Sequence, residues 1–315
     1  MTPLLAAVAL PCVFWLQGPD TATAVKAAGL EHLCVPAAQA ASWRPSGLGI
    51  TPVAQDELDA RETLPAPGLL VQPGVASPTR SPWITANGWR FIRNTGGKYR
   101  YDLPAGKGVL GAAEALAYRA DALLLIDPAD LPAVGHLFAL FNRLPGFDAE
   151  PVADFAVVDD GSPETGELMN LLVRRNLLFE RLTNTASPAR DSFVVRLGTS
   201  DYPREDAADP SALALKIRRS LTDARRTLRI YGSEVVIGRL NGDAMHRRLH
   251  LLNYGGRAIE GLRVRVRGEY AAIHGWGVGA GSMDPAERLV TDGSTEFSLP
   301  NLESYAVVDL ESAAR

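Results

Sequence analysis

Short apolar runs alternate with helix-compatible segments through the first half of the chain. The runs have the length of buried parallel strands and lie at residues 12–16, 32–35, 50–53 and 69–72. A stronger apolar run at 122–126 lies between helical patterns at 109–120 and 131–143. Such alternation indicates a parallel sheet with right-handed crossovers. We therefore predict an α/β domain over residues 1–150, built as a reduced (β/α) barrel or as an open parallel sheet.

The most complete βα unit lies at residues 154–176. A short apolar strand pattern ends at Asp159 and Asp160, and Ser162 then stands where an N-cap residue would start a helix. We predict a flavodoxin-like domain over residues 151–225. Acids at a strand end lie where open α/β sheets bind ligands, but a turn that uses both carboxylates is the simpler explanation.

The hydrophobic period changes to two from about residue 226. Residues 262–267 alternate apolar side chains with arginines, which is typical of a half-exposed antiparallel strand. Further strand patterns with Gly and Asn turns follow. We predict an antiparallel β-sandwich over residues 226–315, so the fold class is α/β plus all-β.

Composition indicates a folded, slightly acidic protein. The chain has 315 residues, 46% of them hydrophobic, and a net charge of −4 at pH 7. The negative charge argues against nucleic acid as a partner. The apolar run at residues 4–16 is too short to span a membrane. A signal peptide has a Lys or Arg before its apolar region, and none precedes this run. A cytoplasmic and an exported location both stay open.

Two cysteines, Cys12 and Cys34, both lie in apolar strand patterns. We predict buried thiols rather than a disulfide, and the absence of a CxxC motif or a Cys/His cluster predicts no metal and no cofactor. His246 and His250 are four residues apart on a predicted strand, which separates them by ~13 Å, too far for one metal ion.

Three segments resemble parts of a known enzyme family: AAEALAYRADALLLIDPAD (112–130), ADFAVVDDGS (153–162) and RLHLLNYGGRAIEGLRVRVRG (248–268). With the order of the domains, they resemble glycoside hydrolases of the bacterial β-galactosidase type. In those enzymes a barrel precedes a class I glutamine amidotransferase-like domain and a C-terminal β domain. The resemblance implies carbohydrate as the partner and a possible homo-oligomer. The middle domain lacks a nucleophilic cysteine, so glutaminase activity is not expected.

The candidate catalytic residues are two carboxylates at the ends of predicted strands. Glycoside hydrolysis needs carboxyl groups ~5–5.5 Å apart for retention or ~6.5–9.5 Å apart for inversion. Asp127 ends the run at 122–126, where α/β folds place reactive residues, and Asp20 follows the first run. Helix capping is the alternative role for each. No acid/base pair of the family can be assigned, and the first 150 residues supply five or six strands where a full barrel has eight.

Residues 83–101 combine aromatic rings with basic and amide side chains. A turn at 94–97 predicts a hairpin of residues 89–93 and 98–101. Flat rings stack on sugars, and Arg and Asn donate hydrogen bonds to hydroxyls. The alternative is that the rings are core and the arginines extend outward. The candidate carbohydrate-binding residues are Trp83, Asn87, Trp89, Arg90, Arg93, Tyr99 and Tyr101.

Two functions follow from these patterns. One is a glycoside hydrolase. The other is a catalytically inactive module on the same scaffold, which binds a glycan or a protein or serves in assembly.

Overall fold

A computed structural model describes residues 11–70, 83–183, 193–279 and 281–313. Contacts divide the chain into two compact units, one formed by Met1–Pro67 and Asn94–Arg143 and the other by Gly68–Arg93 and Leu144–Arg315. The division into domains at 1–150, 151–225 and 226–315 stays a prediction. Residues 4–10 of the N-terminal apolar run lie outside the described residues. In the described ranges no helix is long and apolar enough to cross a bilayer.

The strands, in chain order, are β1 (Cys12–Val13), β2 (His32–Pro36), β3 (Gly49–Val53), β4 (Glu62–Leu64), β5 (Gly68–Leu69), β6 (Ile84–Thr85), β7 (Lys98–Asp102), β8 (Asp121–Leu125), β9 (Phe155–Asp159), β10 (Phe179–Thr183), β11 (Val194–Val195), β12 (Leu228–Tyr231), β13 (Val236–Gly242), β14 (His246–Asn253), β15 (Ile259–Arg267), β16 (Tyr270–Gly277), β17 (Gly281–Ser282), β18 (Ala286–Thr291), β19 (Ser294–Leu302) and β20 (Tyr305–Ser312). The α-helices are α1 (Ala22–Ala27), α2 (Ala40–Trp43), α3 (Gln55–Asp59), α4 (Gly88–Arg93), α5 (Gly108–Ala117), α6 (Leu131–Arg143), α7 (Pro163–Arg174) and α8 (Pro210–Arg225).

Parallel strands form the centre of the first unit. The pairs β1–β8, β8–β7 and β7–β4 are parallel, and so is β2–β3. A parallel bridge between Phe14 and Cys34 connects the two sets. The resulting order is β3-β2-β1-β8-β7-β4, which confirms the predicted parallel sheet. A β3–β4 pairing, which would close a barrel, is absent from the residues that the structure describes, and a reduced barrel stays a prediction.

Cys12 and Cys34 form a disulfide, with their Cα atoms 5.9 Å apart. The prediction of buried free thiols is wrong. The bridge between Phe14 and Cys34 places the β1 and β2 segments side by side, so the two cysteines meet across neighbouring strands. Apolar runs predict that each cysteine lies in a strand, but they do not predict which residues of two strands lie opposite each other.

The predicted hairpin at residues 89–101 is wrong. Residues 88–93 form helix α4, and the amides of Arg90 and Phe91 both donate to the carbonyl of Asn87 at its start. Strand β7 pairs with β4 and β8 in parallel instead of turning back on residues 89–93. Its alternate residues Tyr99 and Tyr101 are buried, so burial in the sheet outweighs the local turn signal. The two predicted arms therefore belong to different units.

The second unit begins with β5 and β6, which pair antiparallel. The segment 69–72 was predicted as a parallel strand, but Leu69 lies in the antiparallel pair β5–β6. Residues 71 and 72 lie outside the described ranges. Strand β9 lies between β10 and β11 in a parallel three-stranded sheet. Helix α7 follows β9 and packs against α8 and α4.

The C-terminal part of the second unit consists of antiparallel sheets. Their orders are β12-β15-β19-β18 and β13-β14-β20-β16-β17. Leu262, Val264 and Val266 of β15 are buried in one core with residues of both sheets, as their alternation with arginines predicts. These sheets, with the parallel sheets of the rest of the chain, confirm the α/β plus β-sandwich fold class.

Candidate functional site

A cavity of about 380 Å³ lies within the second unit. Its charged lining consists of Arg174, Arg175, Arg218, Arg226, Arg229, Glu167, Asp209, Asp223 and Glu234. Trp83 and Tyr231 add aromatic rings. Among the described residues of the wall, arginines therefore outnumber carboxylates by five to four.

Helix α7 supplies one side of this cavity. Leu168 and Leu172 are fully buried, which fixes the helix against the core, and Arg174 and Arg175 lie at its C-terminal end. Cations are stabilised at that end by the negative pole of the helix dipole. Asn176 follows with φ +54°, donates to the carbonyl of Val236 at 2.9 Å and accepts from the amide of Gly238 at 2.7 Å. The end of the helix is thereby held against β13.

Trp83 forms part of the wall through a contact with Arg174. The guanidinium carbon of Arg174 lies 4.2 Å from the centre of the indole ring, which is cation–π geometry. Trp83 is 46% exposed, so much of the indole still contacts solvent. Burial lowers the pKa of Arg174, Glu167 opposes that effect and the adjacent Arg175 adds to it.

Arg226 is the most deeply buried of the arginines in the cavity wall, with 9% exposure. Its Nη1 is 3.5 Å from Asp223 Oδ1, and its Nη2 is 3.5 Å from the carbonyl oxygen of Leu228. In the described part of the chain, its Nε has no hydrogen-bond acceptor. Burial lowers the pKa of Arg226, and the positive charges of Arg218 and Arg229 lower it further, against the opposing effect of Asp223. Sequence reasoning missed this residue. The signal was the density of arginines at 218–229 in an acidic chain.

The predicted carbohydrate-binding residues are separated by the fold. Trp83 lines the cavity. Asn87 is fully buried, and the guanidinium of Arg90 lies 4.5 Å from the ring of Trp89, both side chains being half-buried. Arg93 is held by Asp159 and by the carbonyl of Ser162.

Tyr99 and Tyr101 belong to the first unit, where both rings are buried in the core. The hydroxyl of Tyr99 donates to the carbonyl of Asn94 at 2.9 Å, and that of Tyr101 donates to Glu114 at 2.6 Å. Glu114 is itself fully buried in α5. Neither ring has an exposed face for a sugar.

The predicted catalytic carboxylates lie in local turns. Asp127 caps the short 3₁₀ helix Pro128–Asp130, its carboxylate accepting from the amide of Ala129 at 2.9 Å. Asp20 is exposed in the 3₁₀ helix Pro19–Thr21.

A second cavity of about 210 Å³ lies in the first unit, where β7 and β8 end. Neither Asp127 nor Asp20 lines this cavity. Among the described residues, Asp102 is the one carboxylate in that lining.

Asp159 and Asp160 at the end of β9 serve the turn and its ion pairs. The amides of Gly161 and Ser162 donate to Asp159 and Asp160, each at 3.0 Å. Burial raises the pKa of Asp159, but hydrogen bonds from Arg93, Gly161 and Arg181 outweigh it, and the pKa is lowered. Burial also raises the pKa of Asp160, and hydrogen bonds from Ser162, Thr165 and Arg204 outweigh it and hold that pKa far below its usual value. The interpretation of both acids as structural is the one that the geometry favours.

Comparison with known proteins shows a likeness of fold. No protein-family model matches the sequence, and no curated protein matches it. Among solved structures, α-L-fucosidase isoenzyme 2 from Paenibacillus thiaminolyticus is similar at a TM-score of 0.52 and 12% identity, over 88% of this chain and 71% of the fucosidase. The chain resembles this fucosidase in fold. At this identity the likeness concerns the fold alone.

Two further structures resemble the chain at lower similarity. A rhamnosidase from Novosphingobium sp. PP1Y has a TM-score of 0.38 and 10% identity, over 97% of this chain and 35% of the rhamnosidase. Gan42B, a GH42 β-galactosidase, has a TM-score of 0.37 and 9% identity, over 78% of this chain and 54% of that enzyme. Scores this low add no argument about the site of this protein.

Proposed function

We propose that this protein binds carbohydrate on a glycoside-hydrolase-like scaffold, and that the cavity beside Trp83 is the binding site. The observation that carries the proposal is the exposed indole of Trp83, held by Arg174 in the wall of a cavity of about 380 Å³. Protein cavities that bind small molecules typically have volumes of about 300–1,000 Å³ and combine aromatic rings with a few polar groups. The similar fold of an α-L-fucosidase agrees with a sugar ligand.

The chemistry of the wall supports this ligand class. The indole offers a flat apolar surface for the C–H face of a sugar ring, and arginine and carboxylate side chains offer donors and acceptors for hydroxyls. The guanidinium of Arg174 lies over the centre of one indole face, so the sugar would stack on the opposite face. A ring held in place loses less conformational entropy when a ligand binds.

Structural roles for two of the four carboxylates described in the cavity wall favour binding over hydrolysis. In the cavity, Asp209 caps α8 by accepting from the amide of Ala212 at 2.9 Å, and Asp223 pairs with Arg226 and Arg229. A glycosidase acid needs a raised pKa. Asp154 has a pKa raised by burial, but it does not line this cavity and it accepts hydrogen bonds from the amide and hydroxyl of Thr227.

Tryptophan fluorescence during titration with neutral and acidic oligosaccharides tests the proposal. We expect saturable quenching in the wild type. Calorimetric titration of Trp83→Ala, which lacks the reporting indole, should show at least tenfold weaker binding. Leu289→Ala is the matched control, because Leu289 is 49% exposed on β18 and does not line the cavity. A flat response across the whole panel would contradict carbohydrate binding. Hydrolysis of aryl glycosides by the wild type would instead favour the enzyme hypothesis.

A further inference from the structure

Arg226 is a buried cation whose hydrogen bonds are incomplete. The side chain is 7% exposed, its two guanidinium contacts are both 3.5 Å long, and Nε has no acceptor among the residues that the structure describes. Hydrogen bonds between charged groups are normally about 2.7–2.9 Å long. An arginine offers five N–H donors in a planar fork. Within the described ranges, most of the donors of Arg226 therefore have no acceptor.

The carboxylate nearest to Arg226 is shared with another arginine. Asp223 lies 3.5 Å from Arg226 and 3.6 Å from Arg229, and its side chain is 58% exposed. Water weakens an ion pair of such an exposed group. Because two arginines share this one, largely exposed counter-charge, an anion in this part of the cavity would supply charge that Asp223 alone provides only weakly.

The backbone next to Asp223 has an unusual conformation. Thr222 has φ +61° and ψ 159° within α8, a region that β-branched residues rarely adopt. Strained conformations concentrate at sites that hold ligands.

Resting on the proposed carbohydrate binding, we propose that the cavity selects acidic oligosaccharides and that Arg226 pairs with the carboxylate of a uronic-acid residue. The planar guanidinium matches a carboxylate at two points, and Arg218 and Arg229 add positive charge around it. Trp83 lines the same cavity and supplies the ring surface for the sugar. The ligand class is thus a sugar that carries both an apolar ring face and an anionic group.

Calorimetric titration with two matched ligands tests the inference. The ligands are tetragalacturonate and the neutral tetrasaccharide obtained by reducing its carboxyl groups. We expect the wild type to bind the acidic ligand at least tenfold more tightly, and Arg226→Gln to reduce this preference to less than threefold. Arg263→Gln is the control, since Arg263 is a half-exposed arginine of β15 that pairs with Glu296 away from the cavity.

Arg218→Gln serves as a second variant in case Arg226→Gln does not fold. Arg218 is exposed and lines the same cavity, so its loss should reduce affinity for the acidic ligand without unfolding the protein. Equal affinity of the wild type for both ligands overturns the inference and leaves carbohydrate binding in place. Binding of inorganic phosphate without binding of either tetrasaccharide overturns both proposals. An acidic preference that survives both substitutions also overturns the inference.

Discussion

The guanidinium of Arg93 meets the carboxylate of Asp159 at two points, with Nε 3.1 Å from Oδ2 and Nη2 2.9 Å from Oδ1. Arg181 adds a third contact at 3.0 Å to Oδ2. The end of α4 is thereby joined to the end of β9 and to β10. A side chain predicted to bind sugar and an acid for which a turn was the simpler explanation thus form one structural ion pair.

Replacing Asp159 should destabilise the fold. Asp159→Asn leaves Arg93 and Arg181 without their counter-charge, and breaking a buried ion pair typically costs 3–5 kcal/mol. Because the Arg93 side chain is 21% exposed, we expect about 3 kcal/mol, the lower end of that range. Urea unfolding followed by circular dichroism measures the change.

The matched control is Asp206→Asn. Lys216 and Asp206 form an ion pair whose side chains are 46% and 33% exposed, and such pairs contribute less than about 1 kcal/mol. Equal urea midpoints for the Asp159 and Asp206 variants would contradict a structural role of the Arg93–Asp159 pair.

The lowered pKa values of Asp159 and Asp160 predict that the protein loses stability at low pH. The pKa of Asp159 and that of Asp160 are lower in the folded protein than their ordinary value. Their contribution to the free energy of unfolding is fully present above the unfolded pKa of about 4, and it is lost as the pH falls through the lowered folded pKa values. We expect stability to decrease below about pH 4.

Unfolding free energies measured between pH 7 and pH 2.5 test this dependence. The double variant Asp159→Asn/Asp160→Asn should start from a lower stability and lose less of it on acidification. An identical slope in the wild type and the double variant would show that other groups cause the acid loss.

The Cys12–Cys34 disulfide should contribute measurably to stability. The cysteines are 22 residues apart, and closing a loop of that length stabilises a fold by about 3 kcal/mol in the chain-entropy model. Dithiothreitol should lower the urea midpoint of the wild type but leave that of Cys12→Ser/Cys34→Ser unchanged. Peptide mapping without reductant should recover the linked peptides, and two free thiols in protein purified from an oxidising compartment would contradict the pairing.

Asp127 offers a direct test of the predicted catalytic role. Asp127→Ala should cost about 1 kcal/mol through loss of its cap to Ala129, whereas Asp127→Asn should retain the cap. We expect neither substitution to affect oligosaccharide binding. If the wild type hydrolyses aryl glycosides and Asp127→Asn reduces that rate by a factor of about 100 or more, Asp127 is catalytic and the capping interpretation is insufficient.

Local sequence patterns were sufficient to predict helix starts and strand faces, because these depend on residues that are close together in the chain. Ser162 accepts from the amide of Thr165 at 3.3 Å as an N-cap, as its place before Pro163 predicts. The alternation of apolar residues and arginines at 262–267 marks β15, because burial of every second side chain follows from the pleat. Both signals act within a few residues of the chain.

Tertiary structure decided the pairings between distant segments. The disulfide depends on the alignment of β1 with β2, and β7 pairs with β4 and β8 rather than with its own predecessor. The cavity joins Trp83, the end of α7 and the segment around Arg226. Helices α7 and α8, which pack together in the second unit, each contribute residues to its wall. The sequence by itself determined the kinds of strand and helix, and long-range packing determined which side chains share a site.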